Sequence, residues 1–244
     1  MPSDRAYLIL RRKSVIIYII IIRGFRGILD MNYKISNNVI KRLPRYIRYL
    51  DLLASEGVQK VSSGELGSRM GITASQIRQD LNCFGGFGQQ GYGYNVAQLR
   101  DGIAAALGMG DRLRAVIIGL GNLGKALALN FRFEECGAEL VAAFDVDPDK
   151  VGKSIGAVPV LHVSELESFI RDNAVDVAVL TLPQSMADGA AACAVGAGVR
   201  GIWNFTGKDL GMELPGTSIE NVHLSDSLLT LGYYLRSDGG KETR

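Results

Sequence analysis

Cysteine and histidine are both scarce. The 244 residues hold three cysteines, Cys83, Cys136 and Cys193, too far apart to form a CxxC pair or a disulfide framework. A reducing cytoplasm suits them, and the expectation is buried structural thiols packed as small hydrophobes. Two histidines, His162 and His223, supply no recognisable metal site, so no metal is expected. Long hydrophobic runs are missing too. The eight apolar residues from Val15 to Ile22 fall well short of the roughly 20 that a helix needs to cross a bilayer, and no membrane partner is expected. A signal peptide is matched only in part, because RGFRG stands where small cleavage-site residues belong. The preferred reading takes Met31 as the true start, with residues 1–30 as upstream sequence.

What is present is divided unevenly along the chain, whose length suits two modest domains. Residues 31–110 carry nine Lys/Arg against five Asp/Glu, whereas residues 111–244 carry twelve against eighteen. Any polyanion therefore belongs on the N-terminal part, although solvated helices alone can show the same excess. From Asn38 to Glu56, Val39, Leu43, Tyr46, Ile47, Leu50 and Leu53 form one helical stripe with Arg42, Arg45 and Arg48 outside it. Pro44 falls inside the pattern, so the helix either begins there or starts earlier and kinks. Ser62 with Glu65, and Thr73 with Gln76, are successive capping boxes separated by Gly71, the pattern of a helix-turn-helix. The second helix of such a unit enters the major groove by its first residues, here Ala74, Ser75, Gln76, Arg78 and Gln79. Gln and Arg suit adenine and guanine edges. On the helices alone, a hairpin used only for packing or dimerisation fits equally well.

The next segment, FGGFGQQGYGY (Phe84 to Tyr94), sets five glycines among four aromatics. That composition suits a tight β-hairpin whose tip approaches a phosphate backbone, a wing; a surface loop without a partner is the competing reading. Arg114 to Ile118 then reads as a strand, GLGNLG (Gly119, Leu120, Gly121, Asn122, Leu123, Gly124) as a turn, and Lys125 to Phe133 as a helix. Gly119 permits the turn, Gly121 admits a pyrophosphate and Gly124 allows helix-to-strand packing. Asp145 ends a second strand 21 residues beyond Gly124, where an acidic side chain bonds ribose hydroxyls and repels a 2′-phosphate. The expected cofactor is therefore NADH or NAD+; a turn cap ahead of Pro148 is the other reading of Asp145.

Further strands (Pro159 to Leu161, Val175 to Leu182, Gly201 to Phe205) alternate with helices (Ser164 to Asp172, Ala187 to Gly196), which predicts an α/β doubly wound parallel sheet. Thr181, Leu182, Pro183, Asn204 and Phe205 lie at strand C-termini, where such sheets bind ligands. No catalytic base is singled out: Lys208 and His223 are candidates without an arrangement. The cofactor then acts as a signal and the chain is not expected to be an enzyme. Leu224 to Leu235 predicts a last helix whose apolar residues suggest burial against another subunit.

Together these residues resemble the Rex family of redox-sensing transcriptional repressors. The resemblance spans about Val39 to Arg236 and is carried by TASQIRQDL, FGGFGQQGYGYNV, GLGNLG, FDVDP (Phe144 to Pro148), NF (Asn204, Phe205) and ENV (Glu220 to Val222). It implies a homodimer with winged-helix domains on double-stranded DNA at a palindromic operator, Rossmann domains binding NADH or NAD+, an exchanged C-terminal helix, and release of DNA when NADH binds. Ser62, Thr73, Ser75, Gln76, Arg78, Gln79, Gln89 and Gln90 would face DNA. The expected layout is an extension at 1–30, a winged-helix domain at 31–110, a Rossmann domain at 111–222 and a dimerisation helix and tail at 223–244.

This chain departs from the family at three places. Gln79 and Gln89-Gln90 stand where the family commonly has basic residues, which lowers the expected salt dependence or alters the operator. His223 stands where ENV is usually followed by an aspartate that pairs with an arginine corresponding to Arg48. Two rivals are an NAD-dependent oxidoreductase with an N-terminal dimerisation arm, and a coenzyme A module, which Asp145 disfavours because coenzyme A carries a 3′-phosphate near the ribose edge.

Overall fold

A computed structural model describes residues 35–82, 88–89, 93–211, 214 and 216–238, in two units that meet at Gly108 and Met109. The reading of Met31 as the start, Cys83 and much of the hairpin segment, Gln90 included, lie outside the described residues.

In the first unit, helix α1 (Asn37–Ser55) buries Val39, Leu43, Tyr46, Ile47, Leu50 and Leu53 along one stripe. The Ser36 side chain accepts from the Val39 amide at its start, and Gly57 at φ +77° turns the chain beyond its end. Pro44 lies inside the helix, seven residues from its first residue. An interior proline costs about 3 kcal/mol through the missing N–H. Burying a large apolar side chain stabilises by roughly 1.5–3 kcal/mol, so six of them outweigh it and the helix starts well before the proline.

Strand β1 (Lys60–Val61), helices α2 (Ser63–Met70) and α3 (Ala74–Asn82), strands β2 (Gly88–Gln89) and β3 (Gly93–Asn95), and helix α4 (Val96–Ala106) follow. The three strands form an antiparallel sheet in the order β1-β3-β2, with Val61 opposite Tyr94 and Gln89 opposite Gly93. Leu66, Met70, Ile77, Leu81, Leu99 and Ile103 fill the core. Gly67 decides how closely α2 approaches α3, because a Cβ there would sit 2.6 Å from the Ile72 carbonyl oxygen.

The second unit is a seven-stranded sheet in the order β10-β9-β8-β4-β5-β7-β6. Its strands are β4 (Leu113–Ile118), β5 (Ala138–Asp145), β6 (Ser154–Ile155), β7 (Val158–His162), β8 (Val177–Leu180), β9 (Gly201–Asn204) and β10 (Ser218–Asn221). Helices α5 (Asn122–Asn130), α6 (Leu166–Asp172), α7 (Ala187–Ala197) and α8 (Leu224–Asp238) complete it. Successive side chains of β4 serve opposite cores, Val116 and Ile118 with one, Ala115 and Ile117 with the other. Buried on both faces, residues 115–118 of the strand are continuously apolar. The strand order reverses between β4 and its neighbours β5 and β8, the point at which such sheets bind ligands.

The expected parallel sheet is present, with the short edge strand β6 running antiparallel to β7. Several other expectations need correction. Strands β6 and β10 are too short and too polar to announce themselves in the sequence. Helix α5 begins at Asn122 rather than Lys125 and stops at Asn130, since Phe131 turns to extended backbone and packs its ring 4.9 Å from Phe133 and 5.1 Å from Trp203. Cys136 and Cys193 are exposed, not buried. On α7 it is the alanines at 187, 191, 194 and 197 that face the core, which leaves Cys193 on the outer side.

Gly67→Ala is expected to lower stability by about 1–3 kcal/mol, the range for overpacking against backbone. Gly64→Ala, where the nearest atom to a new Cβ is 3.8 Å away, is expected to be neutral or to gain up to about 1 kcal/mol of helix propensity. Urea unfolding of both variants checks the pair.

Candidate functional site

Each of the two short helices shows the N-cap half of its expected capping box. Ser62 Oγ accepts from the Glu65 amide at 3.1 Å, and Thr73 Oγ1 from the Gln76 amide at 3.1 Å. Gly71, at φ +67°, closes α2 in the left-handed region that only glycine enters without strain. Ser75, Arg78 and Gln79 are exposed on α3. Gln76 is different: its Nε2 donates to Asp80 Oδ1 at 2.8 Å, so part of its hydrogen-bonding capacity is spent inside the domain. Arg78 donates to Ser63 Oγ at 3.0 Å.

Asp80 is the functional residue that the sequence pattern did not mark. It is fully buried and accepts a two-pronged bond from Arg42, with both N–O distances 2.7 Å, and a bond from Tyr46 Oη at 3.0 Å. Burial raises its carboxyl pKa, but the bonds from Arg42, Gln76 and Tyr46 outweigh that and hold it below the ordinary value. The carboxylate thereby ties α1 to the helix that would read bases. Arg45 donates to the Met70 carbonyl oxygen at 2.7 Å, closing the C-terminus of α2. Two of the three arginines placed outside the α1 stripe are therefore structural, and only Arg48 is exposed.

In the second unit, the turn after β4 is built by close backbone approach. Gly119 takes φ +97°, and its N–H donates to the Phe144 carbonyl at 2.8 Å. A Cβ on Gly124 would lie 2.1 Å from the Gly119 carbonyl oxygen, whereas one on Gly121 would meet nothing within 4 Å. The glycine that must admit a ligand is thus open, and the one that must pack is closed. No side chain caps α5, whose N-cap is Gly121, so its first-turn amides and helix dipole are directed at whatever occupies the turn.

Asp145 joins this turn to the end of β5. Its Oδ2 accepts from the Leu120 amide at 2.7 Å and from Lys150 Nζ at 3.1 Å, and its Oδ1 from the Asp147 amide at 2.9 Å. Burial raises its pKa, but the two amides and the ammonium prevail and keep it below the usual carboxylate value. Thr181 Oγ1 donates to the Gly119 carbonyl at 2.6 Å, and Leu182 packs on the core, so both shape the turn. Pro183 is exposed.

Asn204 has a structural task. It is 1% exposed; its Nδ2 donates to the Lys208 carbonyl and to Asn221 Oδ1, and its Oδ1 accepts from the amide and hydroxyl of Thr206. That web clasps the ends of β9 and β10 and leaves the side chain little to offer a ligand. The base candidates are also engaged, Lys208 with Asp188 and His223 Nε2 with Asp209 Oδ1 at 2.8 Å. The Asp209 bond holds the His223 imidazolium above its ordinary pKa. Among the described residues, no three His, Cys, Asp or Glu side chains gather as a metal cluster, and no helix is long and apolar enough to cross a membrane.

Comparison with known proteins bears on both units. The family pattern for a DNA-binding protein N-terminus matches residues 34–82, and that for a CoA binding domain matches residues 110–207. A redox-sensing transcriptional repressor Rex of Caldicellulosiruptor saccharolyticus is 48% identical over 201 residues, covering 82% of this chain and 91% of its own. This chain belongs to the Rex family. Two crystal structures of the Rex-family repressor RSP extend the likeness to three dimensions, each with a TM-score of 0.78 and covering 84% of this chain. One holds β-NAD+ and operator DNA and is 47% identical, with 94% of its own chain covered; the other holds β-NADH and is 44% identical, with 96% covered. The CoA pattern covers most of the seven-stranded sheet, and the Rex relatives are named as transcriptional repressors.

Asp80→Ala removes the acceptor of Arg42 and Tyr46 and is expected to cost about 3 kcal/mol, the scale for breaking a buried pair. The folded-state pKa of Asp80 is depressed, so its contribution is complete above the unfolded value near 4 and is lost as pH falls through the folded value. Urea unfolding of wild type and variant at pH 7 and pH 3 is expected to show a gap that narrows in acid.

Proposed function

We propose that this protein is a DNA-binding repressor that senses the NADH/NAD+ ratio, with α3 and the β2–β3 hairpin on a palindromic operator and the dinucleotide on the glycine turn after β4. The observation that carries the reading is the junction of open Gly121, closed Gly124 and Asp145 at the strand-order reversal, in one chain with two capped helices and paired wing strands. Rex relatives matching across both units support it, and so do the RSP structures with β-NAD+, operator DNA and β-NADH. Cofactor contacts fall to Gly119, Leu120, Gly121, Asn122, Leu123, Gly124 and Asp145, and DNA contacts to Ser62, Thr73, Ser75, Arg78 and the glutamines 76, 79, 89 and 90. A cytoplasmic location suits this role.

We further infer a homodimer built through α8. Leu224, Leu228, Leu229, Leu231, Tyr233, Tyr234 and Leu235 are 53–69% exposed; Leu224, Leu228, Leu231 and Leu235 form one stripe and the others extend the apolar surface round the helix, which one chain alone leaves in water. The pairing of residues 48 and 223 that the family suggests is replaced here: His223 bonds to Asp209 inside its own unit, and an imidazole ring cannot supply the carboxylate that such a pair with arginine needs. The switch in this chain therefore works without that pair.

Replacing Leu228 and Leu231 together by Asp is expected to yield monomers by light scattering and to abolish operator binding at concentrations where wild type is saturated. The sensing itself is tested by linkage. If NADH favours a state that releases DNA, operator DNA must weaken NADH binding by the factor by which NADH weakens DNA binding. Fluorescence titration of NADH with and without operator is expected to show weaker binding in its presence; equal affinities reject the reading.

A further inference from the structure

We propose that Lys150 is a specificity-determining residue for the dinucleotide: it orients the Asp145 carboxylate toward ribose hydroxyls, and it is the cation that admits a 2′-phosphate once its two aspartate partners are neutralised. This inference rests on the dinucleotide reading above.

Lys150 Nζ lies 3.1 Å from Asp145 Oδ2 and 3.2 Å from Asp147 Oδ2, on a turn that fixes all three groups. The Lys150 and Val151 amides donate to the Asp147 carbonyl, at 3.0 and 3.1 Å, and Asp147 Oδ1 accepts from the Asp149 amide at 2.9 Å. The ammonium is thus held between two carboxylates by a rigid turn, with only a quarter of its side chain exposed.

An ionised carboxylate offers about four acceptor positions. On Asp145 the Leu120 amide and Lys150 occupy Oδ2, and the Asp147 amide occupies one position on Oδ1. What is left open is on Oδ1, so Lys150 helps to decide which oxygen meets the ribose. The same trio sets the local charge, two negative groups against one positive. A 2′-phosphate brought there meets net repulsion. With both aspartates changed to asparagine each side chain keeps one acceptor oxygen, so residue 145 retains one of its two amide bonds; the remaining charge is a single ammonium, which makes strong charge-assisted bonds to phosphate oxygens.

The test is direct fluorescence titration of NADH and NADPH with the full chain in four forms: wild type, Asp145→Asn/Asp147→Asn, that double variant with Lys150→Met, and Lys150→Met alone. Wild type is expected to prefer NADH. The double variant is expected to lose about tenfold for NADH and gain about tenfold for NADPH, and adding Lys150→Met to cancel that gain. Lys150→Met alone is expected to weaken NADH severalfold without improving NADPH. Equal NADPH affinity with and without Lys150 in the asparagine background, or wild-type NADH affinity in Lys150→Met, overturns the proposal. Should the double variant fail to fold by circular dichroism, Asp145→Asn with and without Lys150→Met makes the same comparison. A wild-type chain that binds neither nucleotide overturns the dinucleotide reading itself, an outcome distinct from a chain that binds NADH yet ignores Lys150.

Discussion

A carboxylate that leaves water must collect donors, and Asp145, with a side chain 9% exposed, collects them from both sides of the ligand crevice. One oxygen takes the amide of Leu120 in the glycine turn, and the other takes the amide of Asp147 just beyond β5. Parallel pairing already sets Ile118 beside Phe144, and the carboxylate extends that register past the last ladder bond. The residue proposed to select the ribose is therefore also the anchor of the glycine turn. Changing it disturbs two parts of a bound dinucleotide at once, so loss of affinity on its removal is not a measure of the ribose bonds alone.

The DNA-binding unit uses the same device with a different partner. Asp80 gathers Arg42, Tyr46 and Gln76, so α1 and α3 move as one body. This has an electrostatic cost. Arg42 is neutralised by Asp80, Arg69 by Glu56 and Arg100 by Asp51, which leaves the surface excess of positive charge on fewer residues than the composition suggests. With glutamine at 79, 89 and 90 in the sequence, the proposed DNA-contacting set holds more hydroxyls and amides than cations, a set that releases fewer counterions and is less sensitive to salt.

The parts legible in the sequence are those in which a residue type has few uses. Serine or threonine three residues ahead of Glu or Gln marked both helix starts, and the spacing of GLGNLG and Asp145 marked the crevice, because only a residue without a Cβ fits where that atom would lie 2.1 Å from a carbonyl oxygen. Residues with many uses were not legible. Nothing in RQDL says that Asp80 faces inward toward an arginine 38 residues earlier, and Arg42 reads as a solvated cation until that partner is seen. Asn204 ends a strand where ligands bind, yet its amide is consumed by Lys208, Thr206 and Asn221, a web set by strand β10, too polar to predict. The cysteines were misjudged because burial is a tendency of the residue type, and α7 faces its core with alanine.

The exposed face of α8 ties these pieces to regulation. Each large apolar side chain that it leaves in water forgoes roughly 1.5–3 kcal/mol of burial, and seven of them exceed the whole stability of many domains. In the proposed homodimer, a second copy of the chain covering part of this surface turns the separation of the two DNA-reading helices into a property of the pair. A dinucleotide then acts on DNA only through its differential affinity for the two arrangements of that pair. Moving the population from about 1:99 to 99:1 takes about 5.5 kcal/mol of such difference. A ribose bond made equally in both arrangements contributes to affinity and nothing to switching. Under the proposed reading, the Asp145 end of the crevice, bonded to its own turn, holds the cofactor, and discrimination between oxidised and reduced forms falls to contacts elsewhere in the site.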